Sequence, residues 1–202
     1  MEELGAAGVF TLGDNPLSEA WDGVVSSRAG YFARKEVSYD AVLREDGSAN
    51  VSIETTLHND APEGLPSLLL GLDGSGYYAA DVSVYLPANA GNIQSVPVGG
   101  LGFSGLIEAE FGRPVALENL NAESGGTSAA RTTFWLPPPE TQGHFQVDIT
   151  PLPSLNPEQT TIAVELPPGA VVKGTSAGAT ISGSIVTWKG TYVVPTNVWV
   201  DY

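Results

Sequence analysis

The chain has no cysteine and only two histidines in 202 residues. The missing thiols exclude a disulfide scaffold, a thiolate zinc site and a cysteine nucleophile together. Positive charge is scarce as well: eight Lys and Arg stand against 23 Asp and Glu, a formal net charge of −15. From Glu45 to Gly112 there is no Lys or Arg at all, against nine acidic residues. Nucleic-acid binding requires cations that displace the counterions of phosphate, and a surface of this sign repels a phosphate backbone and anionic lipid alike. No nucleic-acid partner is therefore expected. Long apolar runs are missing too. Leu68-Leu69-Leu70, with Leu72 after a glycine, falls far short of the roughly 20 residues of a membrane helix. Direct membrane insertion by this chain is not expected. Met1-Glu2-Glu3 opens without a basic and apolar leader, so any export signal or anchor is expected upstream, in a longer polypeptide.

What is present in excess is Gly and Pro, 24 and 15 residues, beside a hydrophobic content of 42%. That content is too high for a disordered acidic tail, and a chain of this length buries a core without staples. The numbers describe an acidic, loop-rich β protein.

Along the chain, residues 1–35 read as a lead-in segment with a short helix. Asn15-Pro16 supplies an N-cap and a first-turn proline, and Leu17, Trp21, Val24 and Val25 follow on one helical stripe until Gly30. From Glu36 the period becomes two. Val37, Tyr39, Ala41 and Leu43 alternate with polar residues, and Val51, Ile53, Thr55 and Leu57 do so again after Glu45-Asp46-Gly47-Ser48. Two alternating runs joined by Asp-Gly predict a β-hairpin, since that pair readily supplies positive φ.

Further strands are expected at Val82–Leu86, Leu106–Phe111, Val115–Leu120, Arg131–Leu136, Phe145–Ile149, Ile162–Leu166, Ala170–Lys173, Ile181–Trp188 and Tyr192–Trp199. Several end at proline, which has no N–H for the ladder. Roughly nine to eleven strands with regular turn signals predict an all-β fold, an antiparallel β-sandwich of immunoglobulin-like or related type. Residues 36–202 read as one sandwich domain with a Pro-rich crossover at 151–157.

Candidate sites are sparse. Gly174-Thr175-Ser176-Ala177-Gly178 matches a nucleophile elbow in letters. That elbow requires a following helix and a later His, and both His58 and His144 lie upstream, so a turn is expected. Asp46 to Asn50 lacks the spacing of an EF-hand, since Val51 and Leu57 occupy its glycine and glutamate positions. A loosely bound calcium at the acidic turn Asp73-Gly74-Ser75-Gly76 is the only cofactor admitted. His58 and His144 fall on the outer faces of their strands, too few for zinc. Glu108 and Glu110 share one strand face and raise carboxylate-pair glycosidase chemistry. Trp135, Trp188 and Trp199 read as packing residues. Tyr77 and Tyr78, beside Asp73 in a glycine-rich loop, are the candidate ligand-binding residues, suited to stacking on a sugar or peptide.

Tyr31-Phe32, Arg34, Val37 and Tyr39-Asp40, an acidic turn with Gly47, and a strand ending Leu57-His58-Asn59 form one set of landmarks. Leu65-Pro66, Val82 to Pro87, Glu110 to Val115, Leu136-Pro137-Pro138 and Val164 to Gly169 follow in order. Over roughly residues 24–190 this pattern resembles the C-terminal β-rich region of a family of large actinobacterial secreted or membrane-anchored envelope proteins of unknown function. Where that family often has Asn and Lys before the tyrosine, this chain has Ser26 to Gly30. The resemblance implies an extracellular or cell-envelope location and carries no catalytic residues.

The reading that follows is a non-enzymatic extracellular structural or interaction module, the C-terminal domain of a larger envelope protein, with a protein or cell-wall glycan partner. The alternatives are a carbohydrate- or cell-wall-binding module using Asp73, Tyr77 and Tyr78, and a carboxylate-dependent glycoside hydrolase.

Overall fold

A computed structural model describes residues 12–24, 28–62, 76–151 and 156–202, with Gly64, Pro66 and Leu69 between them. The fold is all-β, two seven-stranded sheets packed face to face. In chain order the strands are β1 (Pro16–Gly23), β2 (Ala33–Leu43), β3 (Ala49–Asn59), β4 (Tyr78–Tyr85), β5 (Gly91–Gly99), β6 (Leu101–Glu110) and β7 (Arg113–Ala122). They continue with β8 (Thr127–Leu136), β9 (His144–Ile149), β10 (Gln159–Glu165), β11 (Gly174–Thr175), β12 (Thr180–Ser182), β13 (Ile185–Thr191) and β14 (Thr196–Asp201). One sheet runs β11-β14-β9-β1-β4-β7-β6, and the other β12-β13-β10-β2-β3-β8-β5.

The β2–β3 hairpin forms as its alternation predicts, in register from Ala33↔Asn59 to Leu43↔Ala49. Its turn is held by Asp46, whose Oδ1 accepts from the Ser48 amide at 2.9 Å and from Ser48 Oγ at 2.7 Å. Gly47 supplies the positive φ of 82°. Val37, Tyr39, Val51, Ile53 and Leu57 are buried along this hairpin. They face Val82, Val84, Ala116 and Leu120 from β4 and β7, and Ile162, Val186 and Trp188 extend the same core. Each buried Val, Leu or Ile among them contributes about 1.5–3 kcal/mol.

Two expectations are corrected. Among the described residues of Asn15 to Gly30 the expected helix does not form: Pro16–Gly23 is a strand, and a single 3-10 turn at Ala29–Phe32 follows. Val25, the end of the expected stripe, lies outside the described residues. A spacing of four, as in Leu17 and Trp21, places residues on one face under either period. Ladder bonds decided the matter, because β1 pairs β4 from Ser18↔Tyr85 to Gly23↔Ala80. The sandwich is also not purely antiparallel. β1 runs parallel to β9, and β2 parallel to β10. The chain passes from the first sheet to the second between β1 and β2, and again between β9 and β10. Two neighbouring crossovers in the same direction give parallel pairs in both sheets.

The described residues hold fourteen strands. Ala170–Lys173 is not a strand, and Ile181–Trp188 divides into β12 and β13 around Gly183. β5 and β11 went unread because neither combines an apolar run with flanking turn residues.

Candidate functional site

The alternation that builds the core also drives charge into it. Continuing the inward row of β2 back from Tyr39 and Val37 reaches Lys35, which is 8% exposed. The inward row of β1 holds Leu17, Glu19 and Trp21, and that of β7 holds Ala116, Glu118 and Leu120. Glu19 is 3% exposed and Glu118 1%. Between them stand hydroxyls: Thr55 Oγ1 donates to Glu19 Oε1 at 2.7 Å, and Thr132 Oγ1 donates to Glu118 Oε1 at 2.8 Å. Ser95 Oγ lies 2.9 Å from Thr132 Oγ1 and reaches Glu118 at 3.4 Å. A polar seam thus crosses the interior from β5 to β1. Lys35 Nζ lies 4.8 Å from the centre of the Trp21 ring, a cation–π contact.

Burial dominates the electrostatics of this seam, because a carboxylate removed from water loses its hydration. Burial pushes the Glu19 carboxyl well above its usual range, and Glu158 and then Glu118 push it the same way. Glu118 is raised to about 7 by burial, against the hydroxyls of Thr132, Thr55 and Ser95. Glu158 is raised by burial while Lys35 draws it back, and burial lowers Lys35. The Trp21 indole N–H lies near both Glu19 and Glu158 without hydrogen-bond geometry to either. Glu19 Oε2 and Glu118 Oε2 are buried with no hydrogen-bond partner.

A cavity of about 220 Å³ opens on this seam. It forms where the parallel pair splays: β1 and β9 match only at Pro16↔Asp148 and Leu17↔Ile149, and then β9 ends. Ser18 Oγ donates to the Thr150 carbonyl at 3.0 Å and the Thr150 amide to Leu17 at 3.1 Å. Pro151 has no N–H to carry the ladder on. Buried Leu17, Glu19, Ile149 and Thr160 lie deep in the cavity, Glu158 and Tyr192 line it, and exposed Pro157 and Val193 stand at its rim.

A second concavity, about 720 Å³ and open, crosses the outer face of the other sheet. Its rows follow the strand registers. Val42, Asn50, Trp135 and Gly91 form one cross-strand row, and Asp40, Ser52, Thr133 and Gln94 the next. Half-buried Trp135 extends over Gly91, where an added Cβ would meet the ring at 3.4 Å. A register shift between Gly91 and Gln94, with Asn92 at φ 53°, bends β5 around the groove. Beyond the second row, Arg131 pairs with Glu54 at 2.5 and 3.0 Å.

Of the residues singled out from sequence, Asp73 and the turn around it lie outside the described residues, except Gly76. Tyr77 donates its hydroxyl to Asn121 Oδ1 at 2.6 Å. The Tyr78 ring packs against Ala29 and Ala61, close over Gly23 and Gly30. Glu108 and Glu110 lie exposed on edge strand β6, with Glu110 accepting from Tyr85 at 3.0 Å. His144 sits 2.7 Å from Asp201, and His58 Nδ1 3.0 Å from Thr127, both on outer faces. Ser176 is tied to β14 by both its amide and its hydroxyl, and strand β12 follows instead of a helix. Trp188 is core. No group of three or more His, Cys, Asp or Glu suited to a metal ion occurs among the described residues.

The seam was missed, although part of it had a signal. Lys35 is in phase with Val37 and Tyr39, so a strand begun two residues earlier places it inward. Glu118 is likewise in phase with Leu120. Glu158, one residue before β10, is likewise in phase with the inward Thr160, Ile162 and Val164.

No family profile matches the chain, and no curated protein does. Among solved structures it is similar to a putative nutrient binding protein from Legionella pneumophila, at TM-score 0.52 and 10% identity, over 94% of this chain and 72% of that one. It is also similar to yeast LTA4 hydrolase in complex with bestatin, at TM-score 0.42 and 8% identity, covering 88% of this chain and 30% of that one. A further likeness is to an M1 zinc metallopeptidase from Deinococcus radiodurans, at TM-score 0.38 and 13% identity, covering 83% and 41%. At 10% identity the first of these likenesses is one of fold alone.

Proposed function

We propose that this chain is a non-enzymatic binding module of the cell envelope, and that its outer groove takes a polysaccharide of the wall. The observation that carries the reading is the half-buried Trp135 set among Asn50, Ser52, Gln94 and Thr133 in one open groove. A sugar ring offers C–H groups to an aromatic face and hydroxyls to side-chain amides and carboxylates. A sheet face positions such groups rigidly, which suits recognition of a repeating polymer. The envelope location rests on the sequence resemblance, and the acidic, cysteine-free composition agrees with it. The hydrolase alternative has less support, since Glu108 and Glu110 line neither concavity.

Retention on insoluble cell-wall polysaccharide tests the reading. The wild-type protein is expected to be retained and Trp135→Ala to lose at least about tenfold in affinity, some 1.4 kcal/mol. Tyr78→Ala, outside the groove, is expected to bind like wild type. Loss on Tyr78→Ala but not on Trp135→Ala moves the site to Tyr77 and Tyr78. No retention on any wall polymer ends the glycan reading.

A protein partner is favoured by a different surface. Edge strands β5 and β6 expose Val96, Val98, Phe103 and Ile107, with Phe111 following at 77% exposure. An open edge with apolar side chains accepts an added strand. Capture of an extended partner segment that is lost in Phe103→Ser/Phe111→Ser supports that mode.

A further inference from the structure

From the splayed β1–β9 seam we infer that the cavity over Glu19 and Glu158 is a binding site for a small organic ammonium ion, separate from the outer groove. Glu19 is nine-tenths buried and more, yet its Oε2 has no hydrogen-bond partner and Glu19 lines the cavity. A buried carboxyl oxygen left unmatched costs about 1–3 kcal/mol, more if ionised. The oxygen is sealed beside the cavity, and a donor that enters as the carboxyl turns toward it removes that cost. Charge counting points to a cationic donor. The carboxyls of Glu19 and Glu158 are opposed by one ammonium, that of Lys35, which acts on both. Burial favours a proton on Glu19, and an entering ammonium that displaces it leaves two carboxylates facing two cations.

The walls decide the kind of cation. Leu17, Ile149, Pro157 and Val193 present hydrocarbon, and Tyr192 adds an aromatic ring. A hydrated metal ion has no use for such walls, and the described residues offer no metal-ligating cluster. An alkylammonium uses both halves: its N–H groups meet the carboxyls and its alkyl part the apolar wall. The cavity volume, about 220 Å³, is that of roughly seven waters at about 30 Å³ each, which limits the ligand to a small molecule.

The test is a titration of the full chain with n-butylammonium, followed by amide NMR shifts. Saturable shifts are expected around Glu19, Thr150, Thr160 and Tyr192, with n-butanol producing none. Glu19→Gln, nearly isosteric, should weaken binding at least about tenfold. Tyr192→Leu changes only a wall residue and should weaken it several-fold in an intact fold. Lys35→Met removes the internal competitor and should tighten binding. Trp135→Ala should leave it unchanged. The inference is overturned if wild type shows no saturable shift at millimolar butylammonium, or if n-butanol binds equally well. It is also overturned if potassium or calcium chloride gives the same shifts, or if Glu19→Gln binds like wild type.

Discussion

Thr55 and Glu19 meet across the interior, the hydroxyl of one sheet donating to the carboxyl of the other at 2.7 Å. Both residues occupy positions that alternation assigns to core, and both are essentially sealed from solvent. Thr55→Val keeps the shape and removes the donor, leaving Glu19 with both oxygens unmatched. The expected loss is about 1–3 kcal/mol in urea unfolding at neutral pH. Glu19→Leu/Thr55→Val removes both partners and should recover part of it, since Glu118 still loses the Thr55 hydroxyl.

Glu118 makes stability depend on pH in an unusual direction. Its folded-state carboxyl is raised to about 7 from an ordinary 4.5. The folded protein therefore holds a proton that the unfolded chain releases. This contribution is fully present below about 4.5 and is lost as pH rises toward 7, in all about 3 kcal/mol. Glu19 and Glu158, raised as well, act in the same sense. Glu118→Gln should be the more stable protein at pH 8, with the gap closing near pH 4. Equal pH profiles for the two proteins would refute the assignment.

Asn15, whose spacing before Pro16 suggested a helix cap, instead anchors the start of β1. Its Nδ2 donates to the Gln146 carbonyl at 2.8 Å, and its Oδ1 accepts from the buried Tyr39 hydroxyl at 3.1 Å. Asn15→Ala should cost about 1–2 kcal/mol and Tyr39→Phe about 1 kcal/mol. Hydrogen exchange should show the Asn15→Ala loss at the β1–β9 junction first.

Two glycines separate a clash from a conformational cost. Gly102 has φ 139°, and an added Cβ would lie 1.9 Å from the Asn119 carbonyl oxygen. Gly112 has φ 76° and nothing within 4 Å of that position. Gly112→Ala should cost about 1 kcal/mol through backbone conformation alone. Gly102→Ala should cost considerably more, read as a lower melting temperature and a loosened β6–β7 ladder.

Local chemistry was legible wherever the code is local. Val37 to Leu57 announced a hairpin because period-two alternation and an Asp-Gly turn are set by neighbouring residues alone. The prolines after Leu86, Leu136 and Leu166 ended strands for an equally local reason, the missing N–H. The spacing of Leu17 and Trp21 was ambiguous, since residues four apart share a face in helix and strand. Pairing with β4, more than fifty residues away, resolved it.

By itself the sequence determined an acidic, cysteine-free, all-β chain, the β2–β3 hairpin, and the faces on which His58 and His144 lie. Only the tertiary structure decided the two parallel pairs, the seam from Ser95 to Lys35, the cavity over Glu19 and the groove around Trp135. The physical reason is that each of these joins side chains from strands distant in sequence. Alternation states which face a residue takes, whereas strand order states which residues that face will meet.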